Sequence, residues 1–128
     1  MSKAYNVMAA TCPSRTVLHR IGARWTVFVV NALAVGPMRF TELKAHIRGI
    51  TPKALTETLR AMEYDGLVSR TDHGGNPPHV EYALTDLGRS LLEPIRNFLS
   101  WAQSTFSQVQ KARAQFDENA EKRDDAVV

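Results

Sequence analysis

Cysteine occurs once in the 128 residues. No disulfide can form within the chain, which suits a reducing cytoplasm. No stretch reaches the run of about 18 apolar residues that a membrane span requires. The most apolar segment, residues 25–35, is interrupted by Asn31 and stopped by Gly36-Pro37, as a buried helix of a soluble domain would be. The opening Met-Ser-Lys-Ala-Tyr-Asn lacks the layout of a signal peptide. There is no glycine-rich phosphate loop, no Gly-x-Ser-x-Gly elbow and no His-Glu-x-x-His, and the carboxylates are scattered, so nothing points to an enzyme. The histidines, His19, His46, His73 and His79, form no metal-ligand pattern. His73 and His79 can approach each other across a hairpin, but no thiol or carboxylate pair completes a site. No metal and no cofactor is expected.

What is present fits one globular domain: 44% of residues are hydrophobic, enough for a real core. The net charge of +3 is unevenly spread. Residues 117–128 carry five acids against Lys122 and Arg123, whereas residues 1–116 hold 14 bases and 8 acids, a net of +6. A basic body suits a polyanionic partner.

Along the chain, residues 1–11 read as a flexible arm. Residues 13–22 can form a short helix with Val17, Leu18 and Ile21 on one face, and a second helix spans about 24–35. Met38-Arg39-Phe40 can pair as a short strand, and Thr41 can cap a helix over 42–47. Gly49 suits a tight turn. Thr51-Pro52 then opens a helix to about residue 65, with threonine at the N-cap and proline at the first helical position. Leu55, Leu59 and Met62 point inward at i, i+4, i+7, while Lys53, Thr56, Glu57 and Arg60 remain on the solvent side. Residues 67–72 and 79–84 alternate as two strands around the turn-rich 73–78. Thr85 can cap a last long helix, which Pro94 should kink or divide, and whose apolar stripe runs to Val109. The charged segment 111–128 is expected to have no fixed structure.

The fold is therefore expected to be mainly α with a small β-hairpin (α+β): a winged helix-turn-helix with a long C-terminal dimerisation helix. In that arrangement the second helix of the pair enters a major groove about 12 Å wide. The candidate DNA-binding residues are Arg39, Thr51, Pro52, Lys53, Thr56 and Arg60, with Arg70, His73, Asn76 and His79 on the wing. Glu57 reads as an i,i+3 partner of Arg60. A winged helix used only for protein–protein assembly has the same pattern.

Several motifs also carry a resemblance: Cys12-Pro13, Ile21-Gly-Ala-Arg-Trp-Thr26, Gly36-Pro-Met-Arg-Phe-Thr-Glu-Leu43, Gly49-Ile-Thr-Pro-Lys-Ala-Leu-Thr56, Leu59-Arg-Ala-Met-Glu-Tyr-Asp-Gly-Leu67 and Pro77-Pro-His-Val-Glu-Tyr-Ala-Leu-Thr-Asp-Leu-Gly88. In this order and spacing the chain resembles the HxlR-type family of bacterial regulators over about residues 12–109. It departs at Ala23-Arg24, where a Gly-Lys pair is common, and in a polar extension after Val109. The domain is accordingly bounded at residues 12–110. The resemblance implies a transcriptional regulator, expected to repress, that binds a palindromic operator in double-stranded DNA as a homodimer in the cytoplasm, on the nucleoid when bound. It implies a dimer contact through the first and last helices, for which Leu18, Ile95, Phe98, Leu99, Ala102 and Phe106 are the candidates. It also implies that Cys12 can sense oxidants or electrophiles. A helix start and nearby Arg15 would favour the thiolate, although a half-buried structural cysteine fits the same position. Apolar side chains including Trp25, Phe28 and Trp101 can line a pocket for a small-molecule effector, or simply pack.

Overall fold

A computed structural model describes residues 4–126. The elements are α1 (Arg15–Ile21), α2 (Thr26–Leu33), α3 (Phe40–His46), α4 (Pro52–Tyr64), β1 (Val68–Asp72), β2 (Val80–Leu84), α5 (Asp86–Arg89) and α6 (Leu92–Ala126). The chain divides after Ile95 into two compact units.

In the first unit α2 buries Val29, Val30, Ala32 and Leu33, which makes it the central helix. Leu43 from α3, Leu55, Leu59 and Met62 from α4, and Val68 and Leu84 from the hairpin are buried as well and complete the core, α2 meeting α3 and β2 while α4 meets β1. α3 begins two residues earlier than Thr41 suggested. Arg39 is the extended N-cap, and the Glu42 carboxylate three residues on accepts its N–H at 3.0 Å, so half a capping box decides the start. Residues 38–40 form no strand. Met38 alone pairs with Tyr82, through reciprocal backbone bonds of 2.9 and 2.8 Å, because Phe40 is already helical.

The link from α3 to α4 passes through Gly49 at φ +87°, a left-handed conformation that a side chain would strain. α4 then starts as its sequence dictates: the Thr51 hydroxyl accepts the Ala54 N–H at 3.1 Å and Pro52 follows. β1 and β2 pair antiparallel, Val68 opposite Leu84 and Asp72 opposite Val80. Helix, turn, helix and two-stranded wing are the winged helix-turn-helix architecture, in a mainly α fold.

The last helical region is divided, one turn upstream of Pro94. A proline ring collides with the carbonyl four residues back, here Ser90, and the break falls at Ser90-Leu91. Thr85 caps only the short α5, accepting the Gly88 N–H at 3.0 Å. Pro94 itself lies in the first turn of α6, where an N–H is not needed. Two expectations are corrected in this region. Ile95 is buried in the first unit (3% exposed), so it belongs to the core and offers nothing to a partner. The segment expected to lack fixed structure is helical to Ala126, residues 127–128 lying outside those described. From Ile95 to Ala126 there is no proline or glycine, and Ala, Gln, Glu, Lys and Arg are strong helix formers, so propensity wins over the low apolar content. The Gln115 amide adds an i,i+4 hydrogen bond to Asn119 at 3.3 Å.

The second unit is the helix from Arg96 onward. It exposes Phe98 (61%), Trp101 (59%), Phe106 (46%) and Phe116 (67%). With Ala102 and Val109 these fall on one broad stripe at helical spacing, which continues past Val109 to Phe116.

Candidate nucleic-acid interface

The outward side of α4 is set by its inward one. Leu55, Leu59 and Met62 face the core, and Lys53, Glu57 and Arg60 are exposed on the opposite side at i, i+4, i+7. Thr51 and Pro52 are exposed at its N-terminus. Pro52 has no N–H and that of Ala54 is held by Thr51, which leaves the N–H of Lys53 for an outside acceptor. Two side chains differ from expectation. Thr56 is half-buried and its hydroxyl donates to the Pro52 carbonyl at 2.8 Å, so only its methyl group and acceptor capacity remain for a base. Glu57 lies 4.0 Å from Lys53 rather than pairing with Arg60, because the i,i+4 position is the nearer neighbour for these rotamers. Arg60 makes no ion pair among the described residues and is free to meet an anion. Arg39 is exposed at the start of α3.

The wing does not gather its candidates on one face. Register places Arg70 opposite Tyr82 and Thr71 opposite Glu81, so Arg70 points away from the face that carries Glu81. His73 and His79 continue the ladder, the His73 N–H donating to the His79 carbonyl at 2.7 Å, and both lie on the Glu81 face. Their Nε2 atoms stand 2.8 Å and 3.3 Å from one Glu81 oxygen. The sequence reading found no thiol or carboxylate pair to complete a site with these histidines. Glu81 supplies a single carboxylate, and the signal was available: on a strand, residues two apart share a face, as His79 and Glu81 do. Asn76 is exposed in the wing loop.

The arm before α1 is tied down rather than loose over its described part. The Arg15 guanidinium donates to the carbonyls of Val7 at 2.7 Å and Met8 at 3.1 Å. Arg15 is thereby engaged away from Cys12. The Cys12 thiol instead lies 3.0 Å from the Ser14 hydroxyl, and this contact, followed by backbone hydrogen bonds from Ser14 and Asn6, holds its pKa below the ordinary cysteine value against an opposing desolvation. The rate of alkylation of Cys12 should therefore rise with a midpoint below that of an ordinary free cysteine thiol. Ser14→Ala should move that midpoint upward; a midpoint unchanged by the substitution would remove Ser14 as the cause.

Leu18 is exposed on α1 (53%) and Leu99 is half-buried, while Phe98, Ala102 and Phe106 are exposed. Beside α2, a cleft of about 310 Å³ is lined by Trp25, Phe28, Asn31, His46, Ile47 and Arg48. No helix among the described residues is long and apolar enough to cross a membrane.

Residues 20–110 match the HxlR-like helix-turn-helix family. The HTH-type transcriptional regulator YtfH of Escherichia coli K12 is 38% identical over 111 residues, 87% of this chain and 88% of that one. The structure of ytfH from Salmonella typhimurium superposes with a TM-score of 0.80 at 36% identity, covering 87% of this chain and 99% of the other. The redox regulator HypR in its reduced form gives a TM-score of 0.71 at 32% identity over 77% of this chain and 98% of its own. With the helix pair, the wing and the family match in agreement, the chain belongs to the HxlR-like helix-turn-helix family of transcriptional regulators.

Proposed function

We propose that the protein is a sequence-specific DNA-binding regulator acting as a homodimer on a palindromic operator, and that it represses by occupying that operator. The observation that carries this reading is α4: a capped helix with one face in the core and Lys53 and Arg60 exposed on the other, Lys53 only loosely paired with Glu57. Thr51, Pro52 and Lys53 would meet a phosphate, Thr56 and Arg60 base edges, and Arg39, Arg70 and Asn76 the flanking backbone, with His73 and His79 at the wing. Repression needs no surface beyond the bound dimer itself. Phe98, Leu99, Ala102 and Phe106, with Leu18 on α1, are the surfaces a second copy would cover. The protein would work in the cytoplasm, on nucleoid DNA. An aromatic effector fits the cleft beside Trp25 and Phe28, where Arg48 can meet an acidic group.

A gel-shift series over salt concentration tests the DNA reading. Wild-type affinity should fall steeply as salt rises, and Lys53→Ala should weaken binding to all sequences alike while lowering the log–log salt slope by about 1 per protomer. Binding indifferent to salt would contradict it.

Cys12 would act as a switch between chains. With one cysteine per chain, a disulfide needs two protomers: two Cys12 thiols lose two protons and two electrons to an oxidant such as diamide, which is reduced to the hydrazine. The thiolate-favouring contact with Ser14 and the likeness to HypR favour this. Diamide should change the DNA affinity of the wild type and leave Cys12→Ser unaffected. Equal responses would assign Cys12 a packing role.

A further inference from the structure

We propose that the neck of the wing is a transition-metal site, with His73, His79 and Glu81 as three protein ligands and water in a fourth position. Three observations converge. The hairpin register brings the three residues to one face, His73 across from His79 and Glu81 two residues further along the same strand. Their ligand atoms all lie within 4.8 Å of one another, and both imidazole Nε2 atoms aim at a single Glu81 oxygen, at 2.8 and 3.3 Å. Zinc bonds of about 2.0–2.2 Å in a tetrahedral arrangement set neighbouring ligand atoms about 3.3–3.6 Å apart, so an ion needs the Glu81 oxygen to draw back from the imidazoles by a fraction of an ångström and no pair to move by more than about 1.5 Å. The backbone around it is already closed. His73 donates to the His79 carbonyl, His79 donates to the Gly74 carbonyl at 3.2 Å, and the Asp72 carboxylate accepts the Gly74 N–H at 2.8 Å. Little ordering remains for the metal to impose.

Two imidazoles and one carboxylate select Zn²⁺ and its neighbours in the transition series over Mg²⁺ or Ca²⁺, which prefer all-oxygen sets. His73, His79 and Glu81 are partly exposed, with side-chain exposures of 47%, 38% and 30%. The fourth position is therefore open to solvent. An ion here would turn the net negative charge of Glu81 into a net positive one. The site stands on the hairpin geometry alone; a further consequence rests on the DNA reading above, namely that an ion on the wing strengthens its contact with phosphate.

Optical titration of the tag-free, full-length protein with Co²⁺ tests the site. The expected result is one Co²⁺ per chain with visible absorption bands, which added Zn²⁺ bleaches. His79→Ala and Glu81→Gln should each weaken binding by more than the 10–100-fold that loss of a mere supporting residue costs. Cys12→Ser should bind as the wild type does. Glu81→Cys, which exchanges one ligand for another, should restore binding, so a loss caused only by a disturbed hairpin is told apart. No binding by the wild type, or binding that survives both ligand substitutions or is lost in Cys12→Ser, would overturn the site whatever the protein does with DNA. In gel shifts, Zn²⁺ should tighten DNA binding of the wild type and leave Glu81→Gln unchanged. Unchanged wild-type affinity beside intact Zn²⁺ binding would overturn the effect on DNA and leave both the site and the DNA reading standing.

Discussion

Phe98→Glu combined with Phe116→Glu should convert the proposed dimer to a monomer in sedimentation experiments while leaving the circular dichroism of the helices intact. Single exposed apolar residues are ordinary on a protein surface. Four aromatics along one helix are not, and Phe98, Trp101, Phe106 and Phe116 stand 46–67% exposed. Carboxylates at 98 and 116, directly in line five turns apart, would be desolvated with no partner in a closed interface. Because two half-sites act together only while the protomers are joined, operator affinity should drop by about 10²–10⁴-fold. A variant that remains dimeric, or a monomer that binds the operator as tightly as the wild type, would refute this assignment of the interface. Ile95 is not a suitable target, since its side chain is core and its replacement would destabilise the first unit instead.

The second large effect is expected at Gly88. A Cβ there would fall 2.0 Å from the Leu67 carbonyl oxygen and 3.1 Å from Leu84. α5 cannot easily back away. The Thr85 hydroxyl donates to the Gly66 carbonyl at 2.5 Å, and the Thr85 N–H donates to the Leu67 carbonyl at 3.1 Å. These bonds hold the start of α5 against the very strand entry that the new methyl group would push. Gly88→Ala should therefore cost about 3 kcal/mol, the upper end for overpacking. In thermal unfolding this lowers Tm by about 10 °C for a domain of this size. Arg89→Ala, exposed next door, should change Tm by no more than about 2 °C, as surface changes do. Equal melting of Gly88→Ala and the wild type would show that α5 is not pinned as described.

What could be read from the residues alone was local. Thr51-Pro52 announces α4 because capping and the proline position depend on neighbours within one turn, and Leu55, Leu59 and Met62 repeat with the helix period. The wing is legible for the same reason, alternation bounded by Gly74-Gly75. The failures share a cause too. Thr41 looks like a cap, but Glu42 accepts the Arg39 N–H three residues back and that bond sets the start. The burial of Ile95 depends on what packs over it, which periodicity cannot tell. The tail after Phe116 has too few apolar residues for a core, yet a helix needs none, only residues that favour it. At the interface, Lys53 and Arg60 are exposed, whereas Thr56 bonds to the Pro52 carbonyl and Glu57 lies nearer Lys53 than Arg60. Glu81 was not considered because a carboxylate pair was sought, whereas strand parity with His79 brings this single carboxylate to the histidines.

Selection of bound fragments from genomic DNA, with wild type and Arg60→Ala in parallel, tests most directly the claim that α4 is the reading helix of a dimer. The account predicts two inverted half-sites with centres about 34 Å, or about 10 base pairs, apart, and a preference at one position of each half-site that relaxes in Arg60→Ala. Fragments without a shared inverted repeat, or the same motif returned unchanged by the variant, would contradict it.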